Sequence, residues 1–233
     1  MECIVTLEAD VLAAFPAEVQ IPAQLVADAV TASAADAPKI LVVLDDDPTG
    51  TQSVADLAVL TRWDVEDFTW AFTHIRANQT KPAVYVLTNT RSLDPAEAAA
   101  RNEEIVRNAL AAAAAGDVKL GFVSRSDSTL RGHYPLEPDV IAATVAAETG
   151  EPTDGVVIVP AFPDAGRVTI GGIHYMRGTA GSLTPVAETE FAKDASFGFA
   201  NSEMAKYVEE KSQGRFPASD VIVLDLNIIR AGA

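Results

Sequence analysis

The sequence predicts an α/β fold: a doubly wound, mainly parallel sheet flanked by helices, with an irregular insertion near residues 164–200. Short apolar runs alternate with longer helical patterns along the chain, and this alternation is typical of parallel sheets with crossover helices. The 233 residues are 48% hydrophobic and 21% charged, which indicates a globular chain able to bury a sizeable core. We expect residues 1–38 to be an N-terminal extension and residues 39–233 to form the main domain.

The extension is Ala-rich and contains a short amphipathic pattern. Apolar residues recur at helical spacing at Leu25, Val26, Ala29 and Val30. A short helix is therefore predicted within residues 1–38.

The elements of the main domain follow from residue 39 onward. Strands are predicted near 39–45, 57–61, 83–88, 118–124, 155–160 and 220–225. Helices are predicted near 64–77, 94–115, 135–149 and 201–213. Asp94 and Pro95 supply an N-cap and a first helical residue, and Gly116 supplies a stop. The stretch 164–200 interrupts the alternation and predicts a long loop or irregular strands, an insertion of the kind that usually carries function.

Charge and cysteine content limit the possible partners and the compartment. A net charge of −16 argues against nucleic-acid and anionic-membrane surfaces, since both require basic patches. A single cysteine cannot form an internal disulfide, and the first residues lack the basic start of a secretory signal. No apolar run approaches the roughly 20 residues that span a bilayer. We therefore expect a cytoplasmic protein that binds neither nucleic acid nor membrane.

Four predicted strands lead into clusters of polar residues at their carboxyl ends. In open parallel sheets, ligands bind in the crevice beyond these ends, so the clusters are expected to line one cleft. A solvated loop remains the alternative interpretation for any single segment. The clusters contain Asp45, Asp46, Asp47, Thr49 and Gly50; Thr88, Asn89, Thr90 and Arg91; the run from Ser124 to His133; and Arg167.

Three consecutive aspartates follow the first strand of the main domain. Their mutual repulsion is costly unless a cation, a ligand hydroxyl or backbone N–H groups compensate it. A general base and a Mg²⁺ ligand both fit, whereas Asp45 or Asp47 could instead serve as an N-cap or a solvated carboxylate. Gly50 would let the backbone approach a ligand closely.

The basic residues near the strand ends are mostly arginines. A guanidinium binds a carboxylate or phosphate through two parallel hydrogen bonds, which lysine cannot reproduce. The alternative role for these arginines is structural pairing with the local aspartates. For Arg125, ligand binding and structural pairing fit the sequence equally well. We interpret His133 and His174 as loop or packing residues. Together with His74 they lack the spacing of zinc ligands, and no metal site is predicted in this chain.

Four segments, DDDPTGTQ, LTNTRSL, SRSDSTLRGH and PAFPDAGR, resemble the N-terminal domain of the four-carbon acid sugar kinases in order and spacing. The resemblance covers about residues 39–226. It implies an enzyme that uses ATP and Mg²⁺ to phosphorylate a hydroxyl of a tetronate or 3-oxo-tetronate. In such a two-domain kinase the first domain holds the acid sugar, and residues 39–233 would be that substrate-binding domain.

The resemblance also implies membership of the site, and chemistry suggests the roles. The catalytic candidates are Asp46 and Asp47, either of which could accept the proton of the attacking hydroxyl. The arginines would fix the sugar carboxylate, and Asn89, Asp127 and Ser128 would take hydroxyls. The substrate-binding candidates are Thr49, Gly50, Asn89, Arg91, Ser126, Asp127, Ser128, Arg131, Gly132 and Arg167.

The chain lacks the nucleotide-binding motifs that a complete kinase needs. Neither G-x-x-x-x-G-K-[ST] nor G-x-G-x-x-G occurs. The ATP site is therefore expected in a C-terminal nucleotide-binding domain absent from this chain, acting in cis or in trans. The chain alone should bind its small acid-sugar substrate but show weak or no turnover, and its size permits a homo-oligomer.

Two alternatives to the kinase remain. Asp45, Asp47 and Thr49 also fit the first motif of haloacid-dehalogenase-like phosphatases, and Leu87-Thr88-Asn89 imitates the second. The lysine and the Gly-Asp-x-x-x-Asp run of that family are missing, so its charge and Mg²⁺ would lack partners. The other alternative is a non-catalytic sugar-acid-binding module.

Overall fold

The computed structural model describes residues 6–34, 39–78 and 81–231. The chain divides into two compact units. Pro22–Ser126 and Leu136–Val157 form what we call the parallel-sheet unit. Met1–Ile21, Asp127–Pro135 and Ile158–Ala233 form the antiparallel-sheet unit.

Strands and helices are numbered in chain order. The first half contains β1 Thr6–Leu7, α1 Glu8–Leu12, α2 Ala23–Ala34, β2 Ile40–Asp45, β3 Ala58–Leu60, α3 Val65–Asn78, β4 Ala83–Leu87 and α4 Pro95–Gly116. The second half contains β5 Leu120–Arg125, α5 Leu136–Thr149, β6 Arg167–Ile170, β7 Ile173–Arg177, β8 Ser182–Pro185, α6 Met204–Lys211 and α7 Leu226–Arg230.

The parallel-sheet unit contains four strands in the order β3-β4-β2-β5, all parallel. Alternate residues of β2, namely Ile40, Val42 and Leu44, enter the hydrophobic core, where Phe68 of α3 and Ile105 of α4 pack against the sheet. Because this is a parallel sheet flanked by helices, the predicted α/β fold class is confirmed.

The strand register brings three strand ends to one edge of the sheet. Asp45, the last residue of β2, pairs with Leu87 of β4 and with Arg125 of β5. Residues paired across neighbouring strands point to the same face, so the side chains of Asp45 and Arg125 are placed side by side.

Local sequence signals explain the start of the long helix α4. The Asp94 side chain accepts hydrogen bonds from the backbone N–H groups of Ala96 and Glu97, and Pro95 occupies the first helical position. The predicted cap is therefore confirmed. Gly116 remains within the helix, and Asp117 in the left-handed conformation forms its C-cap.

The antiparallel-sheet unit has the strand order β1-β8-β7-β6. Gly171 and Gly172, both with positive φ, form the turn between β6 and β7. Two-residue hairpin turns require this backbone conformation, which glycine adopts without strain. The region predicted as an irregular insertion thus contains three strands of an antiparallel sheet, and Val168, Ile170, Tyr175 and Leu183 form their core.

Much of the N-terminal segment takes part in this unit. Strand β1 pairs with β8, and Val11, Leu12 and Phe15 pack against the antiparallel core. Helix α2, within the predicted extension, falls in the parallel-sheet unit and is exposed to solvent. Residues 1–5 and 35–38 of the predicted extension lie outside the described part of the chain.

Two strand predictions are wrong. Neither residues 155–160 nor residues 220–225 form a strand. Val157 is 86% exposed and Ile222 is 83% exposed. An apolar, β-branched run favours a strand only where a neighbour pairs its backbone, and neither segment has such a partner within the described residues.

Candidate functional site

Asp45 forms a buried ion pair at the end of β2. Its side chain is fully buried, and Nη1 of Arg125 lies 3.2 Å from Oδ1. Burial raises the pKa of Asp45, and the nearby Arg125 charge opposes part of that increase. The other carboxylate oxygen, Oδ2, is buried without a hydrogen-bond partner among the described residues. Arg125 therefore has the structural role that sequence reasoning left open for it.

Gly50 packs directly against this ion pair. A Cβ atom at this position would overlap both carboxylate oxygens of Asp45 and Nη1 of Arg125. Glycine is needed here for the close approach of backbone to the pair. The structure thus gives Gly50 a packing role, whereas its predicted contact with substrate remains a prediction.

Arg91 links the next two aspartates. Its Nη2 and Nε lie 2.6 and 3.0 Å from the two carboxylate oxygens of Asp46, and its Nη1 lies 3.2 Å from Oδ2 of Asp47. Asp46 is almost fully buried and also accepts a hydrogen bond from the Ser126 hydroxyl at 3.4 Å. Four residues predicted for the site, Asp46, Asp47, Arg91 and Ser126, are therefore in contact.

Asp47 is the more accessible of the two catalytic candidates. It accepts hydrogen bonds from the hydroxyl and the backbone N–H of Thr49, at 2.5 and 2.8 Å. The hydroxyl bond is the largest cause of the lowered pKa of Asp47, with further contributions from the backbone bond and Arg91. The side chain is 27% exposed, so an ionised carboxylate can reach a ligand.

A buried polar network lies next to this cluster, and sequence reasoning missed it. Glu137, in the first turn of α5, is 3% exposed. Its Oε1 accepts from Thr90 at 2.5 Å and from Asn102 at 3.3 Å, and its Oε2 accepts from Ser124 at 3.3 Å. An acidic residue near a helix N-terminus is common, so nothing in the local sequence marks Glu137 as buried.

Asn89 lies between Thr88 and Thr90 in the segment that follows β4. It adopts the left-handed conformation with φ of 54°, which asparagine tolerates better than most residues. Its backbone N–H donates to the carbonyl of Asp45 at 3.4 Å. The backbone conformation thus fixes this predicted substrate-binding residue next to Thr88 and Thr90.

In the antiparallel-sheet unit, a tight loop orders Asp127 and Arg131. Nη2 and Nε of Arg131 lie 2.6 and 2.7 Å from Oδ2 of Asp127, and the Thr129 hydroxyl donates to the same oxygen. Burial acts to raise the pKa of Asp127, but the bonds from Thr129 and Arg131 outweigh it and hold the pKa below its usual value. Gly132 follows with φ of 140°, a backbone conformation that L side chains rarely adopt.

His174 fastens this loop to strand β7. The imidazole is fully buried, and Nε2 donates to the Ser128 carbonyl at 2.7 Å. Nδ1 therefore accepts from the Thr169 hydroxyl, at 2.8 Å. Burial lowers the pKa of His174, and the Arg167 charge lowers it further. His174 has the packing role that the sequence suggested, and the loop it holds contains four predicted site residues.

Arg167 differs from the other arginines predicted for the site. Its Nη1 donates to the Ala165 carbonyl at 2.5 Å, and its buried Nε has no hydrogen-bond partner among the described residues. Within that part of the chain no carboxylate lies within ion-pair distance of Arg167. That Arg167 contacts substrate stays a prediction.

Each unit brings together part of the predicted site. Asp46, Asp47, Thr49, Arg91 and Ser126 cluster in the parallel-sheet unit, with Gly50 and Asn89 beside them. The antiparallel-sheet unit holds Asp127, Ser128, Arg131 and Gly132 in one loop and Arg167 at the start of β6. That all of them line one cleft stays a prediction.

The described residues do not fit a metal centre. Among residues 6–34, 39–78 and 81–231, no three His, Cys, Asp or Glu side chains are grouped so that they could hold a metal ion. Arg125 and Arg91 already form ion pairs with the three aspartates. The helices of that same part of the chain are all too short or too polar to cross a membrane.

Comparison with known proteins gives the family. Residues 41–228 match the family of sugar-binding N-terminal domains. A D-erythronate kinase of Heliobacterium modesticaldum is 26% identical over 186 residues, which are 78% of this chain and 39% of that kinase. The chain thus spans well under half of that relative.

A solved structure also resembles the chain. The crystal structure of Haemophilus influenzae protein HI1011, of family DUF1537, covers 72% of this chain at 17% identity, with a TM-score of 0.47. The match covers 38% of the Haemophilus protein. The family match over residues 41–228 agrees with the resemblance seen in the four sequence segments. The chain belongs to the family of sugar-binding N-terminal domains that the four-carbon acid sugar kinases contain.

Proposed function

We propose that this chain is the substrate-binding domain of an ATP-dependent kinase that phosphorylates a hydroxyl of a four-carbon acid sugar. The observation that carries the proposal is the family match over residues 41–228, which includes every residue predicted for the site. The similarity to a D-erythronate kinase supports a tetronate or 3-oxo-tetronate as substrate.

The contacts suggest a division of labour between the two catalytic candidates. Asp46 is buried and accepts a hydrogen bond from Arg91. In this proposal its role is to fix the position of the Arg91 guanidinium. Asp47 is partly exposed, and its lowered pKa keeps it ionised at neutral pH. We assign to Asp47 the role of orienting the attacking hydroxyl and accepting its proton as the phosphoryl group is transferred.

A cation that no carboxylate neutralises is the strongest candidate for binding the acid. Arg91 and Arg131 each hold an aspartate, whereas Arg167 has no carboxylate partner among the described residues. A guanidinium can bind a carboxylate through two hydrogen bonds. In this proposal Arg167 supplies the main charge for the sugar carboxylate, and Asn89, Asp127 and Ser128 contact its hydroxyls.

ATP and Mg²⁺ complete the proposed reaction, and both belong to a nucleotide-binding domain in cis or in trans. This chain carries no phosphate-binding glycine motif, and its described residues do not fit a metal site. The proposed location of such a metabolic kinase is the cytoplasm.

A coupled kinase assay with D-erythronate tests the proposal. The chain is mixed with ATP and Mg²⁺, alone and together with the C-terminal region of the Heliobacterium relative. We expect D-erythronate phosphorylation only in the mixture, and loss of that activity in Asp47→Asn. Substrate binding by the chain with no phosphorylation in the mixture would instead favour the non-catalytic binding module.

The phosphatase alternative finds little support in the geometry. It requires Asp45 to attack a phosphoryl group, but Asp45 is fully buried against Arg125 and Gly50. Release of phosphate from D-erythronate phosphate by the chain alone would revive it.

A further inference from the structure

We propose that Glu137 is a positioning residue for the sugar-acid site of the parallel-sheet unit. Its carboxylate holds the segment from Thr88 to Arg91 and the end of β5 in the geometry that the site requires. The inference rests on the proposed function, because it gives Glu137 a role in substrate binding.

Glu137 joins three separate elements of the parallel-sheet unit. It accepts from Thr90 after β4, from Asn102 of α4 and from Ser124 of β5. A carboxylate can only accept hydrogen bonds, so a group surrounded by three donors fits its chemistry. At 3% exposure, water competes little for these donors.

These hydrogen bonds also link Glu137 to the predicted site. The hydroxyl of Thr90 lies 3.0 Å from that of Thr88, and the Thr88 hydroxyl donates to the Asp45 carbonyl at 2.9 Å. The backbone N–H of Arg91 donates to the Asp46 carbonyl at 3.1 Å. Through the Thr90 bond and the Arg91 N–H bond, Glu137 is therefore two hydrogen bonds away from the Asp46 backbone.

The positions of Asn89 and Arg91 depend on this backbone. Asn89 is held in the left-handed conformation between the two threonines, and Arg91 must reach Asp46 and Asp47 at the same time. Loss of the Thr90 anchor would free the segment to move, and the Arg91 guanidinium would lose its fixed orientation. Small displacements of this size are enough to weaken a preorganised site.

Amide hydrogen exchange measured by NMR tests the positioning role without a ligand. In Glu137→Ala we expect the amides of Thr88, Asn89 and Arg91 to exchange at least about tenfold faster, because three buried hydrogen bonds are lost and one alone corresponds to a change of about that size. Glu137→Gln keeps an acceptor for Thr90 and should stay within about threefold of wild type. Thr90→Val removes one donor at constant shape and should loosen the same amides if Glu137→Ala fails to fold.

The matched control is Thr144→Ala. Thr144 is also buried in α5, but its hydroxyl donates only to the Val140 carbonyl of the same helix. Unchanged exchange at Thr88, Asn89 and Arg91 in both Glu137→Ala and Thr90→Val would overturn the proposal. Equal acceleration in Thr144→Ala would overturn it as well, because the effect would then be general loss of stability.

Calorimetric titration with D-erythronate then tests the link to substrate. Glu137→Ala and Thr90→Val should weaken binding by about tenfold, whereas Glu137→Gln and Thr144→Ala should bind within about threefold of wild type. Normal binding by folded Glu137→Ala contradicts the positioning role. Absence of binding by the wild-type chain contradicts the proposed function instead, and the exchange rates still decide whether Glu137 holds the segment.

Discussion

Arg91 donates two hydrogen bonds to Asp46, with Nη2 2.6 Å from one carboxylate oxygen and Nε 3.0 Å from the other. The Asp46 side chain is 1% exposed and that of Arg91 is 19% exposed, so water screens the pair weakly. The two residues are far apart in sequence, and the pair joins the ends of β2 and β4. It is therefore part of the fold as well as of the candidate site.

Arg91→Ala should strongly destabilise the chain. It leaves the buried Asp46 carboxylate without its main partner, a change that costs about 3–5 kcal/mol. Urea unfolding monitored by circular dichroism measures the loss. The matched control is Arg62→Ala, which breaks a pair with Asp67 in which the arginine is 77% exposed. That change should cost less than about 1 kcal/mol, and equal costs for the two variants would contradict the importance of the buried pair.

Gly50→Ala should also destabilise the chain. Its Cβ would overlap the buried Asp45 carboxylate and Arg125, and overpacking of this kind costs about 1–3 kcal/mol. Gly155→Ala is the control, because a Cβ there meets no atom within 4 Å. The melting temperatures of the two variants measure this difference in stability. A Gly50→Ala variant as stable as Gly155→Ala would show that the pair can move aside easily.

The sequence predicted the part of the fold that local pattern determines. The four parallel strands follow from apolar runs such as Ile40–Asp45, and α4 follows from its Asp94 cap. The pattern VTIGGIHY, inside the predicted insertion, contains a hairpin signal: two strand-like runs separated by two glycines.

Tertiary contacts explain what the sequence did not predict. Whether residues 155–160 and 220–225 become strands depends on a pairing partner, which no local pattern reveals. The same holds for the site. Residue type identified Asp46, Asp47 and Arg91 as candidates, but their mutual pairing depends on strand register. The role of Glu137 depends on donors from three distant elements.

His174 gives stability a pH dependence with a definite sign. Burial holds its folded pKa below the ordinary 6.5, so the unfolded chain binds the proton more strongly. Stability is therefore fully present above about pH 6.5 and declines as the pH falls towards the folded pKa. Denaturant titrations at pH 8 and pH 5.5 measure the free energy of unfolding. This free energy should fall less between the two pH values in His174→Gln than in wild type. His74→Gln, at an exposed histidine, is the control, and a wild-type pH response in His174→Gln would contradict the assignment.

Arg131 should contribute to acid binding as well as hold Asp127. Arg131→Lys keeps a positive charge beside Asp127 but cannot form two parallel hydrogen bonds. We expect it to weaken D-erythronate binding by about tenfold while thermal unfolding changes little. Arg177→Lys serves as the control, because Arg177 also forms an ion pair, with Glu8, but is not one of the predicted site residues. Wild-type affinity in a folded Arg131→Lys would assign Arg131 to the scaffold alone.

The proposed function requires this chain to recognise the carboxylate of a four-carbon acid sugar through its arginines. The most direct test is a pair of calorimetric titrations of the wild-type chain, one with D-erythronate and one with erythritol, which has the same four carbons but no carboxylate. A charge-assisted hydrogen bond is worth about 1.5–3 kcal/mol, so D-erythronate should bind at least about tenfold more tightly than erythritol. Arg167→Ala should remove most of that difference. Equal affinity for the two compounds, or no measurable binding of D-erythronate, would contradict the account.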